Sequence, residues 1–198
     1  MILIGLTGGI GMGKSTAANF VRAMQIPVAD TDEIARSLVE PGEPALDEIM
    51  RAFGQDIVDG GGRLRRQALA ELVFADNEKR RELEAILHPR IRAAWLLAAA
   101  RWRTENCLLG AVVIPLLFET KAEAHFDSII CVACSRPTQL ARLQSRGWCN
   151  EEIDRRTQAQ KPVAAKMESS NYVVWSEGKM PVHQAQLHRI IAQLSRNR

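Results

Sequence analysis

The chain has 198 residues, 46% of them hydrophobic and 25% charged, with a formal net charge of +3 at pH 7. That length suits one domain, or one domain with an insertion, around a substantial core, and the composition is that of an ordinary globular protein. A charge this small gives no electrostatic case for nucleic acid, no apolar run approaches the ~18 residues of a membrane span, and the apolar start at Met1 leaves no room for a signal peptide. These features predict a cytoplasmic protein with no nucleic-acid or membrane partner.

Met1-Ile2-Leu3-Ile4-Gly5-Leu6 is a short apolar run that suits a buried parallel strand. Gly8-Gly9-Ile10-Gly11-Met12-Gly13-Lys14-Ser15 follows, matching G-x-x-x-x-G-K-[ST] at every fixed position. Ala17, Phe20, Val21 and Met24 then recur at helical spacing, so a helix opens near Lys14. This strand–loop–helix order is the context in which the motif binds triphosphates. Glycines let the backbone curl into an anion nest, and the new helix adds unpaired N–H groups and the positive end of its dipole. The backbone from Gly11 through Thr16, with Gly13 and Met12 between, is therefore expected to hold a nucleoside triphosphate. Lys14 bridges its terminal phosphates and the Ser15 hydroxyl ligates Mg²⁺.

A second strand is expected near 26–29, followed by Asp30-Thr31-Asp32-Glu33-Ile34-Ala35-Arg36. Ligands of open α/β sheets sit beyond the carboxyl ends of the strands. Asp30 and Asp32 are thus candidates to take a proton from an attacking hydroxyl or to hold Mg²⁺ through water. The competing reading is helix capping, because Asp30 with Glu33 resembles a capping box and Asp32 falls inside the first turn.

About 70 residues without a strand signal come next. Glu40-Pro41-Gly42-Glu43-Pro44 stops one helix, a second is predicted over 44–53, Asp59-Gly60-Gly61-Gly62 makes a turn, and helices follow near 65–75, 77–87 and 89–105. A crossover needs only about a dozen residues. The excess, about 40–105, reads as an inserted helical subdomain for a second substrate. Trp95 and Trp102 fit one packed helix face, and the charges from Glu78 to Glu84 fit a solvated one.

Further strands are expected near 108–114, 128–134 and 171–175. Cys131 and Cys134 form a C-x-x-C inside the fourth, where residues three apart point to opposite faces, so both read as small core residues rather than metal ligands. The stretch 136–170 reads as a helical lid: Arg136-Pro137-Thr138 starts a helix, Gly147 ends it, and Asn150 before Glu151 and Glu152 caps the next. Arg142 and Arg146, one turn apart, and Arg155 and Arg156 suit cations closing over a γ-phosphate, or surface ion pairs with nearby glutamates. His183 and His188 are expected on the surface of the last helix. The tail after Glu177 has Lys179, Arg189, Arg196 and Arg198 and no acids, which fits a solvated terminal helix.

Alternating strands and helices predict an α/β P-loop kinase fold with a five-stranded parallel sheet, crossover helices, a helical insert and a lid. The residues also resemble one family, the bacterial dephospho-coenzyme A kinases. The likeness runs through Gly5-Leu6-Thr7-Gly8-Gly9-Ile10-Gly11, Asp30-x-Asp32-x-Ile34-Ala35-Arg36, Leu87-His88-Pro89-x-Ile91 and Pro115-Leu116-Leu117-Phe118-Glu119. It continues through Thr138-Gln139-Leu140-x-Arg142-Leu143 and Arg156-x-x-x-Gln160-x-Pro162-x-x-x-Lys166, nearly the whole chain in order.

The resemblance implies that ATP phosphorylates the ribose 3′-hydroxyl of dephospho-coenzyme A, the last step of coenzyme A synthesis. It implies Asp32 as general base, Arg142 as the lid arginine, and Asp30, Arg36 and His88 on the substrate side. A helix start before Pro89 is the competing account of His88. Relatives often carry Ser where this chain has Met12, a position that contributes mainly its backbone N–H. Ser170-Asn171-Tyr172-Val173-Val174-Trp175-Ser176 also departs from the usual Ala-Asp-Tyr-Val-Ile-Asp-Asn, so no adenine contact is carried over to it. A monomer or weak homo-oligomer is expected. Another small-molecule or nucleotide kinase, or a non-catalytic nucleotide-binding regulator, is the alternative reading.

Overall fold

Short apolar segments rich in Val and Ile become strands because a sheet covered by helices on both faces buries every residue along them. In the computed structural model, which describes residues 1–196, these are β1 (Ile2–Thr7), β2 (Val28–Asp30), β3 (Leu109–Val113), β4 (Ser128–Ala133) and β5 (Tyr172–Trp175). All pair in parallel, in the order β2-β3-β1-β4-β5. All five predicted strands form within two residues of their expected limits. Arg198 of the basic tail lies outside the described residues.

The intervening helices are α1 (Lys14–Ala23), α2 (Thr31–Ser37), α3 (Pro44–Phe53), α4 (Arg66–Ala75), α5 (Asn77–Thr104), α6 (Arg136–Gln144), α7 (Asn150–Gln158), α8 (Val163–Glu168) and α9 (Met180–Arg196). None of the described helices is long and apolar enough to cross a membrane. The chain divides into two compact units, one of Met1–Asp30 with Ala99–Arg198 and one of Thr31–Ala98.

In the first unit, Ile4, Leu6, Ile130 and Val132 from the central strands bury one sheet face against Ala17, Ala18 and Val21 of α1 and Leu187, Ile190 and Ile191 of α9. Alternation sends the neighbouring residues to the other face, so a Cβ at Gly5 would meet Leu117 and Phe126. Cys131 is fully buried and Cys134 nearly so, both are free thiols, and burial pushes the Cys131 thiol up to about 11. Both are therefore core residues, as the strand alternation required. Edge strand β5 is finished by a side chain: Gln186 of α9 accepts from the Trp175 amide and donates to its carbonyl, each at 2.9 Å.

His183 corrects the surface expectation. It is 2% exposed on the α9 stripe that continues through Leu187, Ile190, Ile191 and Leu194, and it meets the Phe20 ring edge-on at 5.3 Å. Burial, with Arg142 second, lowers its pKa. His188 is exposed as expected.

The second unit packs Val39, Ala45, Ile49, Ile57, Leu69 and Ile86 into its own small core. The predicted glycine turn exists: the Asp59 carboxylate accepts from the Gly61 and Arg63 amides, both at 2.9 Å, and Val58 bridges Leu64. The expected break near Pro89 does not form, since α5 runs unbroken from 77 to 104 with Pro89 inside it. Pro89 and Ala85, whose carbonyl loses its partner to the proline, both lie on the exposed side of α5. Arg90 reinforces the next turn by donating to the Ile86 carbonyl at 2.6 Å. Within the α5 range assigned to each unit, Trp95 and Trp102 are both buried, 2% and 8% exposed, as the packed-face reading required.

Candidate active site at the phosphate loop

β1 delivers the chain to residues 8–13 at the carboxyl edge of the sheet, and α1 starts at Lys14. Gly13 makes that start possible, with φ 90° in the left-handed region that side chains other than glycine's rarely adopt. The first helical bond runs from the Ala17 amide to the Gly13 carbonyl at 3.0 Å. The amides of Lys14, Ser15 and Thr16 precede that ladder, as anion binding requires. The Lys14 ammonium donates to the carbonyls of Gly8 (3.0 Å) and Gly9 (2.8 Å), which holds it over the loop. Met12 turns its side chain into a small cluster with Ala133, Cys134, Val163 and Met167, so its backbone is what it offers to the loop, as expected.

Ser15 is exposed at the start of α1, and no cluster of three or more His, Cys, Asp or Glu able to hold a metal exists among the described residues. That donor set fits Mg²⁺ carried with a nucleotide, which needs only one or two protein oxygens beside phosphate and water.

The 136–170 segment lies directly on the loop, within the same unit. Gly11 lets α6 approach, because a Cβ there would stand 2.8 Å from Leu143 Cγ. Two glutamines grip the peptide groups of Ile10: its amide donates to Gln160 Oε1 at 3.1 Å and its carbonyl accepts from Gln139 Nε2 at 2.7 Å. A cavity of about 240 Å³ remains beside them, lined by Gly9, Met12, Cys134 and Val163 among others.

The arginines of this segment divide by partner. Arg136 pairs with Asp154 and Arg156 with Glu152 (2.9 Å), and Arg156 also lies over the Trp148 ring. For Arg156, the surface ion-pair reading holds. Arg146 lies past the end of α6 and is exposed, so it does not share a helix face with Arg142. Arg142 instead donates Nη1 to Ser176 Oγ at 2.9 Å and Nη2 to the Ser176 carbonyl at 2.6 Å, with Nη1 3.6 Å from where a Gly13 Cβ would be. Ser176 in turn donates to the Met12 carbonyl at 2.8 Å.

Next to it, Glu177 takes hydrogen bonds from the Ser135 side chain, the Ser135 amide (2.8 Å) and Trp175 Nε1 (2.9 Å). Hydrogen bonds from Ser135 and Thr138 lead in lowering its carboxyl to about 2. α6 starts at Arg136 as expected, with Ser135 as its cap, whereas Cys149 rather than Asn150 holds the cap position of α7.

A buried cation underlies this end of the segment. Lys166 has no exposed surface, and its ammonium donates to the Pro115 carbonyl at 2.7 Å and to Glu119 at 2.8 Å. The same Glu119 oxygen accepts the Lys161 amide at 2.8 Å. Glu119 and Lys166 both fall in segments of the family likeness, where spacing alone gave them no role.

The structure brings Gly11, Met12, Gly13, Lys14, Ser15, Thr16 and Arg142 into one neighbourhood. Asp30 ends β2 in register with Val113, which is also in register with Leu6. β3 therefore separates β2 from β1, and Asp30 lies two strand spacings, ~10 Å, from the strand that carries the loop. It is at the same sheet edge but not adjacent. Asp32 and Arg36 are exposed in the first and last turns of α2, and His88 is half-buried inside α5, all three in the Thr31–Ala98 unit. The helix-start account of His88 does not hold, since α5 is continuous there.

Comparison with known proteins agrees with this geometry. A family model described as dephospho-CoA kinase matches residues 2–181. A dephospho-CoA kinase of Anaeromyxobacter dehalogenans is 43% identical over 195 residues, covering 98% of this chain and 92% of that protein. Another, of Bdellovibrio bacteriovorus, is 39% identical over 171 residues, covering 86% and 85%. The crystal structure of TT1252 from Thermus thermophilus superposes with a TM-score of 0.83 at 35% identity, covering 98% of this chain and 97% of that one. A shikimate kinase of Acinetobacter baumannii, at TM-score 0.53 and 11% identity over 100% and 95% of the two chains, shares the fold alone. With the family model and these relatives spanning nearly its whole length, the chain belongs to the dephospho-CoA kinase family.

Proposed function

We propose that this chain transfers the γ-phosphoryl group of ATP to the ribose 3′-hydroxyl of dephospho-coenzyme A, giving coenzyme A and ADP. The observation that carries the reading is the loop itself: Lys14 and the first amides of α1 meet at one point, and Arg142 stands at its rim on neutral oxygen atoms. Phosphoryl transfer is dominated by positioning and by stabilisation of charge on the transferring group, and these residues supply both.

In this mechanism the amides from Gly11 to Thr16 hold the phosphates, and Lys14 leaves the Gly8 and Gly9 carbonyls to bridge the β- and γ-phosphates. Ser15 would hold Mg²⁺, which when bound neutralises phosphate charge. The acceptor's 3′-oxygen attacks the γ-phosphorus, its proton passes to the Asp32 carboxylate, and the bond from γ-phosphorus to the bridging oxygen breaks as ADP leaves. Arg142 faces the charge that develops on the γ-oxygens. Asp30, Arg36 and His88 are assigned to the acceptor, which the helical unit would recognise.

The test is labelled ATP offered with a panel of acceptors, among them dephospho-coenzyme A, nucleosides, nucleoside monophosphates and shikimate. Efficient transfer to dephospho-coenzyme A alone is expected. Preferred transfer to another acceptor, or ATP binding without acceptor-dependent turnover, would overturn the reading.

A further inference from the structure

We propose that Ser176 is the positioning residue that aims Arg142 at the transferring phosphoryl group. The proposal rests on the role given to Arg142 above and deepens it. The Ser176 hydroxyl has one proton, and its contacts with the Met12 carbonyl and Arg142 leave a single way to use it between them, with the Cys134 thiol also in hydrogen-bond reach. The Met12 carbonyl can only accept and the arginine can only donate. The hydroxyl therefore donates to Met12 at 2.8 Å and accepts from Arg142 Nη1 at 2.9 Å, while the Ser176 carbonyl takes Nη2 at 2.6 Å. A guanidinium held at both ends of its fork keeps one orientation.

Three further observations place this contact in a rigid frame. The Ser176 amide donates to the Ala133 carbonyl at 2.8 Å, which ties the residue to the end of β4. Gln139 and Gln160 hold the Ile10 peptide groups, so the loop that Ser176 touches is itself fixed. Glu177 binds Ser135, the cap of the helix that carries Arg142. Two consecutive residues after β5 thus grip the start of α6 and the arginine further along it.

The chemistry of the anchor matters as much as its geometry. A carboxylate would hold Arg142 equally well but would cancel the charge that the reaction uses. A hydroxyl and a carbonyl fix the fork and leave the full positive charge available. Ser176 is 5% exposed, and Gly13 lies against its Cβ and Oγ, so water does not substitute for the hydroxyl without a shift of the loop.

The test combines single and double variants of the full chain in steady-state kinetics. Ser176→Ala is expected to lower kcat about tenfold, as a loss of alignment does, with KM for ATP little changed and the thermal midpoint a few degrees lower through the lost buried hydrogen bonds. Ser176→Cys, close in size but a poor acceptor, should match it, and Ser176→Thr, which keeps the hydroxyl, should recover most of the activity. Added to Arg142→Ala, Ser176→Ala should cost nothing further, because its effect passes through the arginine. Wild-type kcat in Ser176→Ala, or a loss that multiplies with that of Arg142→Ala, would overturn the positioning role and leave Arg142 in place. Wild-type kcat in Arg142→Ala itself would overturn both.

Discussion

Both compact units hold ion pairs, but only in the phosphate-loop unit do cations beside the loop rest on neutral acceptors. In the unit that holds the phosphate loop, the Lys14 ammonium donates to two backbone carbonyls and the Arg142 guanidinium to a hydroxyl and a carbonyl, all neutral acceptors. In the Thr31–Ala98 unit, the ion pairs join arginines to glutamates: Arg90 to Glu48, Arg66 to Glu40 at 3.5 Å and Arg80 to Glu84 at 3.7 Å. These pairs are at least a third exposed and add little stability. A cation meant for a ligand needs a neutral holder, whereas a cation meant for solubility is best neutralised in place. The ion pairs Arg136–Asp154 and Arg156–Glu152 of the first unit follow the second pattern, so the contrast is confined to Lys14 and Arg142 beside the loop.

The largest effect expected from this contrast is at Lys14. Lys14→Ala removes the fixed charge at the β- and γ-phosphates and should abolish turnover while the thermal midpoint stays near wild type. Turnover near wild type would break the comparison, since the cation would then not be directed at phosphate. Asp32→Asn comes next. Asparagine keeps the size and much of the capping ability of aspartate but takes no proton, so phosphate transfer should slow at least ~10²-fold with ATP binding retained. Hydrogen exchange with dephospho-coenzyme A should still protect amides within 44–105 in that variant. Turnover within a few-fold of wild type would make Asp32 a helix-cap residue, with Asp30 as the base or no base required.

Lys166 sharpens the contrast by showing a charge in the first unit that serves structure alone. Lys166→Met deletes a fully buried ammonium and leaves Glu119, about a quarter exposed, without its cation. Denaturant unfolding should show a loss of ~2–3 kcal/mol, below the 3–5 of a completely buried pair because water reaches the carboxylate. No change in stability would mean that Glu119 relaxes freely into solvent.

The smallest effect is a pH dependence at Glu177. Its folded carboxyl lies near about 2 against an ordinary 4.5, mainly through the hydrogen bonds from Ser135 and Thr138. A depressed carboxyl stabilises the fold above its unfolded value, and that contribution fades as pH falls from 4.5 through about 2. Glu177→Gln should flatten the acid arm of the stability profile in that window and lower stability at neutral pH, where the wild-type contribution is fully present. An acid arm identical to wild type would remove Glu177 from the grip on α6.

Several features were legible in the chain because they are local. Apolar runs mark buried strands wherever helices cover both faces of a sheet, and the glycine pattern of the loop dictates its own turn and the helix start at Lys14. α3 formed over the expected 44–53, with Gly54 ending it. Other features were misread where a local signal competed with packing. Pro89 is a strong break in isolation, yet a helix whose proline side faces water absorbs it. His183 read as a surface histidine, although its spacing to Leu187, Ile190 and Ile191 already placed it on the buried stripe of α9.

What the amino-acid sequence determined by itself is the phosphate loop, the alternation of strands and helices, the surplus helical segment and the family. Each rests on residues near one another in the chain. Only the tertiary structure decided that β3 stands between the loop strand and Asp30, and that Lys166 is buried on Glu119. It alone placed Ser176, 34 residues past Arg142 and 164 past Met12, on both at once. Hydrogen bonds between residues so far apart leave no periodicity or spacing to read, because they depend on which strand lies next to which.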